Sequence, residues 1–145
     1  MVGDQPLFGS AISSELLATE AAALGVLANP VMLADEQLNI TYVNDAALAL
    51  LKDAEPDLKT DLAGFNASQL IGKNIDLFHK QPAHQRQMLR TMNKRHSATI
   101  WVGGRGFDLT ISPVMLKGRR HGFVVEWADG EARLKNLDYG NQIAA

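Results

Sequence analysis

The chain has 145 residues, of which 46% are hydrophobic and 21% charged, with a net charge of −2 and no cysteine. That length fits one domain, large enough to fold without a disulfide or a structural metal. The balanced charge gives no basic surface for nucleic acid. The missing thiols exclude disulfides, thiolate metal sites, iron–sulfur clusters, thiol catalysis and Cys-x-x-Cys-His haem attachment.

Residues 1–9, with Gly3, Pro6 and Gly9, read as a loose leader. A helix is expected from about Ser10 to Leu27, capped by Ser13 or Ser14, with Leu16, Leu17, Ala21, Leu24 and Leu27 forming an apolar stripe. Asn29-Pro30 ends it. Val31–Ala34 and Leu38–Val43 then read as a β-hairpin around the turn 35–37. Asp45 is expected to cap a helix running to about Asp53, followed by short pieces broken by Pro56, Gly64 and Gly72. Ile75-Asp76-Leu77-Phe78-His79 forms an apolar knot, and a polar-rich helix follows from Ala83 to about Asn93. Three strands close the domain, Ser97–Val102, Phe107–Leu116 and Gly122–Trp127, with turns at Gly103-Gly104 and Lys117-Gly118. The tail beyond Asp129-Gly130 is polar and amphipathic, with Leu134, Leu137 and Ile143 as its apolar points, and reads as the start of a linker helix.

The expected fold class is therefore α+β: a five-stranded antiparallel sheet with short helices on one face, an N-terminal helix and the start of a C-terminal one. The expected organisation is a leader and cap helix at 1–28, a core domain at 29–130 and a linker at 131–145. No basic n-region opens the sequence and no run approaches the ~20 apolar residues of a membrane span, so no membrane insertion is expected and the chain reads as cytoplasmic.

Few residues point to chemistry. There is no Gly-x-Ser-x-Gly elbow, P-loop or Gly-x-Gly-x-x-Gly, and Gly103-Gly104-Arg105-Gly106 joins two strands rather than a strand and a helix. His79 and His84 are five apart with Pro82 between them, unlike a helical zinc pair. No enzyme turnover is expected. His84, His96 and His121 lie beside charged or polar neighbours and read as solvated. His79 follows Ile75, Leu77 and Phe78, so it is either an imidazole at the edge of the core or an axial ligand to a haem iron. Trp127 shares a strand face with Phe123 and Val125. It is either plain core or a buried N–H donor waiting for a ligand. Trp101 falls on the outward face.

Four motifs carry a family resemblance. The stretch 29–45 from Asn29-Pro30 through Tyr42-Val43-Asn44-Asp45, the run Ile71-Gly72-Lys73-Asn74-Ile75-Asp76-Leu77-Phe78-His79 continuing to Arg86, the turn Val102-Gly103-Gly104-Arg105, and Val124-Val125-Glu126-Trp127-Ala128-Asp129 resemble PAS domains of soluble bacterial chemoreceptors, including the haem-PAS group of the Aer2 type. The likeness covers roughly residues 28–130. It implies a signal-sensing domain of a methyl-accepting chemotaxis receptor that binds haem b non-covalently and takes a diatomic gas, oxygen first. By the same resemblance His79 is the axial ligand, with His84 as the backup. Trp127 donates to the bound gas, Leu109 lines its pocket, and Phe78, Met88, Ile111 and Val125 add apolar contacts. Asp129 belongs to the family's Trp-x-Asp-x-Thr output motif, although Glu131 stands where the Thr is expected. The resemblance also implies a homodimer and a following PAS or signalling domain. A cofactor-free module for dimerisation and signal relay is the alternative. FAD is a third reading, and no residue marks an isoalloxazine or adenine site.

Overall fold

The computed structural model describes residues 6–79 and 82–130, and side chains from Ser14 onward apart from Pro82. The anticipated linker at 131–145, Glu131 and the first part of the leader lie outside the described residues. The first helix, α1, spans Pro6–Val26, starting earlier than expected. Ser13 and Ser14 are therefore interior positions and not caps. The expected apolar stripe finds little cover among the described residues: Leu16, Leu17 and Leu27 are exposed, Val26 is 81% exposed, and only Leu24 is half-buried.

Strands β1 (Val31–Ala34) and β2 (Ile40–Val43) form the anticipated hairpin. Its turn is built by the Asp35 carboxylate, which accepts from the backbone N–H groups of Gln37 and Asn39 at 2.9 Å. The second helix, α2, spans Asp45–Leu58. Asn44 caps it, accepting from the Ala47 N–H, so the cap is Asn44 and not Asp45. The helix also runs through Pro56, where a break was expected. Pro56 sits on the exposed side while Leu51, Ala54 and Leu58 on the other side are buried, and that packing outweighs the one missing hydrogen bond.

Two 3₁₀ turns follow, at Ala67–Gln69 and Ile75–Phe78, capped by the Asn66 and Asn74 side chains. Residues 72–75 run along the outer edge of β2: Ile40 donates to Lys73 O, Gly72 to Ile40 O and Ile75 to Leu38 O at 2.7–2.9 Å. This covers a sheet edge and fixes where the knot before His79 begins. Helix α3 spans Pro82–Thr91.

The last three strands are longer than expected: β3 (His96–Val102), β4 (Arg105–Leu116) and β5 (Arg119–Asp129). All five strands pair antiparallel in the order β2-β1-β5-β4-β3. The first and last strands thus lie side by side at the centre. Two glycines are obligatory. A Cβ at Gly103 (φ +60°) would stand 1.7 Å from Asp57 O, and one at Gly122 (φ +144°) would stand 2.2 Å from Ala34 O. The β3–β4 turn is thereby pressed onto the end of α2, and β5 is pressed onto β1. The sheet's inner face, α2 and the 3₁₀ segments share one core that includes Met32, Leu51, Phe65, Phe107 and Phe123.

Candidate functional site

Between the sheet's inner face, the 75–78 turn and α3 lies a cavity of about 140 Å³ that opens to solvent. That is below the ~300–1,000 Å³ usual for ligand pockets, so a large group must part the walls to enter. His79, Phe78, Met88, Leu109, Ile111, Val125 and Trp127 all line it, and so does His84. Strand register explains the sheet side, because Leu109 faces Trp127 and Ile111 faces Val125 across the β4–β5 ladder. The wall residues Ile75, Gln85, Ala98, Thr99 and Ile100 were not anticipated. Neither was His96, which is exposed as expected but also lines the cavity. No local signal in Lys94-Arg95-His96 marks this, since β3 reaches the site only by pairing with β4, His96 opposite Ile111.

His79 ends the 75–78 turn in an extended conformation, and its N–H donates to Asp76 O at 3.0 Å. It is half-buried, and that burial holds the imidazole below its ordinary value against the opposing pull of the Asp76 carboxylate. Arg86 of α3 pairs with Asp76, joining the two segments that flank His79. Because the unfolded chain binds the His79 proton more readily, folding is penalised as the pH falls through about 6.5, and the penalty is complete below the folded pKa. The ligand-free protein is therefore expected to lose more Tm on acidification below that pH than His79→Gln does. Parallel thermal melts from pH 7.5 to 5 check this, and equal slopes would contradict it.

Trp127 is 5% exposed. Its ring meets Phe78 edge-on at 5.0 Å and Phe107 at 5.5 Å, and its backbone N–H donates to Pro30 O at 2.9 Å. The indole Nε1, however, is buried with no hydrogen-bond partner. Such a donor costs roughly 1–3 kcal/mol while it stays unpaired. The lining is apolar, and its donor set suits haem: a neutral imidazole on one element, aliphatic and aromatic walls, and an idle N–H on another. Trp101 is exposed, as expected. Asp129, at the end of β5, accepts from Arg105 Nη2 at 2.9 Å. Among the described residues no group of three or more His, Cys, Asp or Glu is placed to hold a metal ion by itself. No helix among them is long and apolar enough to cross a membrane.

Residues 20–82 match the PAS domain family. The chain is 42% identical over 109 residues to the methyl-accepting chemotaxis protein McpB of Pseudomonas aeruginosa, a match covering 74% of this chain and 16% of that protein. The chain therefore spans about a sixth of that relative's length. It also resembles the solved Aer2 receptor of Vibrio cholerae, described as a dual PAS–haem oxygen sensor. That match has 39% identity and a TM-score of 0.62, over 70% of this chain and 93% of that one. The PAS domain of BvgS from Bordetella pertussis shares the fold alone, with 18% identity and a TM-score of 0.54 over 88% and 98% of the two chains. Chemoreceptor sensor domains of this kind are not enzymes, which agrees with the absence of a catalytic set in the sequence. The chain belongs to the PAS domain family and is related to the sensor domains of bacterial chemoreceptors.

Proposed function

We propose that this domain binds haem b in the cavity and senses a diatomic gas, oxygen first, for a chemoreceptor. The observation that carries the reading is the buried, partnerless N–H of Trp127 in the wall of a cavity that His79 also lines. Haem, when bound, supplies a reversible site for small gases. The residues supply the rest. His79, kept neutral by burial, offers a nitrogen lone pair as axial ligand, with His84 the alternative. Phe78, Met88, Leu109, Ile111 and Val125 would give the group apolar contacts. The Trp127 N–H donates to a ligand that carries partial negative charge, and the description of the Vibrio relative as an oxygen sensor supports oxygen as that ligand. Residues 29–130 are the sensor and 131–145 the link to a following PAS or signalling domain, with Asp129 at the coupling end.

Titration of the purified chain with hemin tests this. A sharp absorption band that shifts with oxygen after reduction is expected, and a protein that stays colourless would overturn the reading. Trp127→Leu is expected to weaken oxygen about tenfold and leave carbon monoxide nearly unchanged, the ~1.4 kcal/mol of one hydrogen bond. Gas titrations of the reduced protein check the difference. A second role stands on a separate observation: the uncovered apolar side chains of α1 suit self-association. A homodimer through α1 needs no cofactor, and it is the function that remains if hemin is refused.

A further inference from the structure

One guanidinium serves three carboxylates at the end of the sheet where the chain leaves it. Arg105, the first residue of β4, has a side chain only 12% exposed. Its Nη2 donates to Asp129 at 2.9 Å and to Asp53 at 3.0 Å, whereas Nη1 reaches Asp57 only at 3.5 Å. Its Nε is buried with no partner. Asp129 closes β5, while Asp53 and Asp57 belong to α2. A fork with one doubly used nitrogen, one long bond and one idle donor can be distributed over these carboxylates in more than one way.

The same guanidinium lies over the Phe107 ring, 5.8 Å from its centroid. Phe107 is fully buried and meets the Trp127 ring edge-on. Register makes this contact continuous. Phe107 faces Asp129 across the β4–β5 ladder, and Leu109 faces Trp127. Trp127 and Asp129 are two residues apart on one strand, as are Arg105 and Phe107 on the other, so all four project to one side of the sheet. A close-packed interior leaves Phe107 little room to absorb a displacement of the indole.

We infer that Arg105 is a positioning residue that couples the cavity to the end of β5. Phe107 transmits the placement of Trp127 to the guanidinium, and the guanidinium divides its bonds between Asp129 and the α2 carboxylates accordingly. The inference rests on the haem reading only for the identity of the cavity's occupant. Coupling of this kind is reciprocal, so altering the fork alters the cavity.

The test uses the whole chain in a Trp101→Phe background, which leaves Trp127 as the only indole. Without any ligand, Arg105→Gln and Asp129→Asn are expected to shift the emission maximum and near-ultraviolet dichroism of Trp127. Asp53→Asn, which removes the competing partner, is expected to shift them the opposite way. Glu55→Gln, on α2 but bonded to Ala67 instead of the fork, is expected to leave them unchanged. With hemin added, Asp129→Asn is expected to change affinity about fivefold. That change should be non-additive with Trp127→Phe. An unmoved Trp127 signal in cooperatively folded Asp129→Asn and Asp53→Asn would overturn the coupling, as would an equal shift in Glu55→Gln. If Arg105→Gln does not fold, the Asp129 and Asp53 variants decide the matter by themselves. If the unaltered chain takes no hemin, the haem reading fails and the emission result still decides the coupling.

Discussion

His79→Ala is expected to abolish the haem absorption band on hemin titration, lowering affinity by at least ~100-fold, beyond the ~10–100-fold seen on removing an outer-shell partner of a metal ligand. Three histidines line the cavity, and their settings differ. His84 and His96 are exposed, whereas His79 is half-buried, fixed at the end of a capped turn and held toward its neutral form by burial. A neutral ring nitrogen is what an iron ligand requires, and a fixed backbone spares the ordering cost of bringing it into place. His84→Ala is accordingly expected to keep the band. Free imidazole added to His79→Ala is expected to restore part of it, because the vacated space is the shape of the ring that was removed. An unchanged band and affinity in His79→Ala would transfer the ligand role to His84 or remove it from the domain.

Asn44→Ala is expected to cost about 3 kcal/mol and lower Tm by roughly 10 °C, the largest stability effect of any single polar side chain here. Asn44 is 1% exposed and the one buried polar residue among the described core positions. Its Oδ1 accepts from the Val31 and Ala47 N–H groups at 2.9 Å, and its Nδ2 donates to Leu24 O and Asn29 O at 2.9 and 3.0 Å. One amide thus caps α2, starts β1 and holds the last turn of α1. Losing a helix cap costs ~1 kcal/mol by itself, and the backbone groups left buried without partners add the remainder. Asn44→Asp separates the two halves. It keeps both acceptor bonds but places a carboxylate against the Leu24 and Asn29 carbonyls. Helix α2 should then survive while α1 becomes readily cleaved by protease. Urea denaturation with limited proteolysis reads both effects, and an Asn44→Ala loss under 1 kcal/mol would contradict the account.

Local chemistry in the sequence was enough for much of this structure. The Asp35 and Gly103-Gly104 turns, the alternation in β5 and the proline after α1 each act within a few residues, so the hairpins and the inward face of Trp127 follow from them directly. The family resemblance led to cavity residues scattered over 50 positions, from Phe78 to Trp127, and each of them lines one space. Other features depend on partners distant along the chain. Pro56 remains helical because the opposite side of α2 is buried, which its neighbours do not reveal. His96 joins the cavity through the register of β3 on β4. The Trp127 N–H is idle because no acceptor among the described residues comes within reach, a fact of the assembled interior and of no single segment. Arg120 of β5 binds Glu36 and the carbonyls at the end of α3, and Arg105 gathers Asp53, Asp57 and Asp129 from separate elements. The sequence by itself determined which segments turn, which alternate and which histidine stands beside apolar neighbours, because those depend on backbone preference and side-chain period. Only the tertiary structure decided which polar groups find partners, because a hydrogen bond or ion pair is set by distance in space, and the β2-β1-β5-β4-β3 order brings together residues up to 97 positions apart.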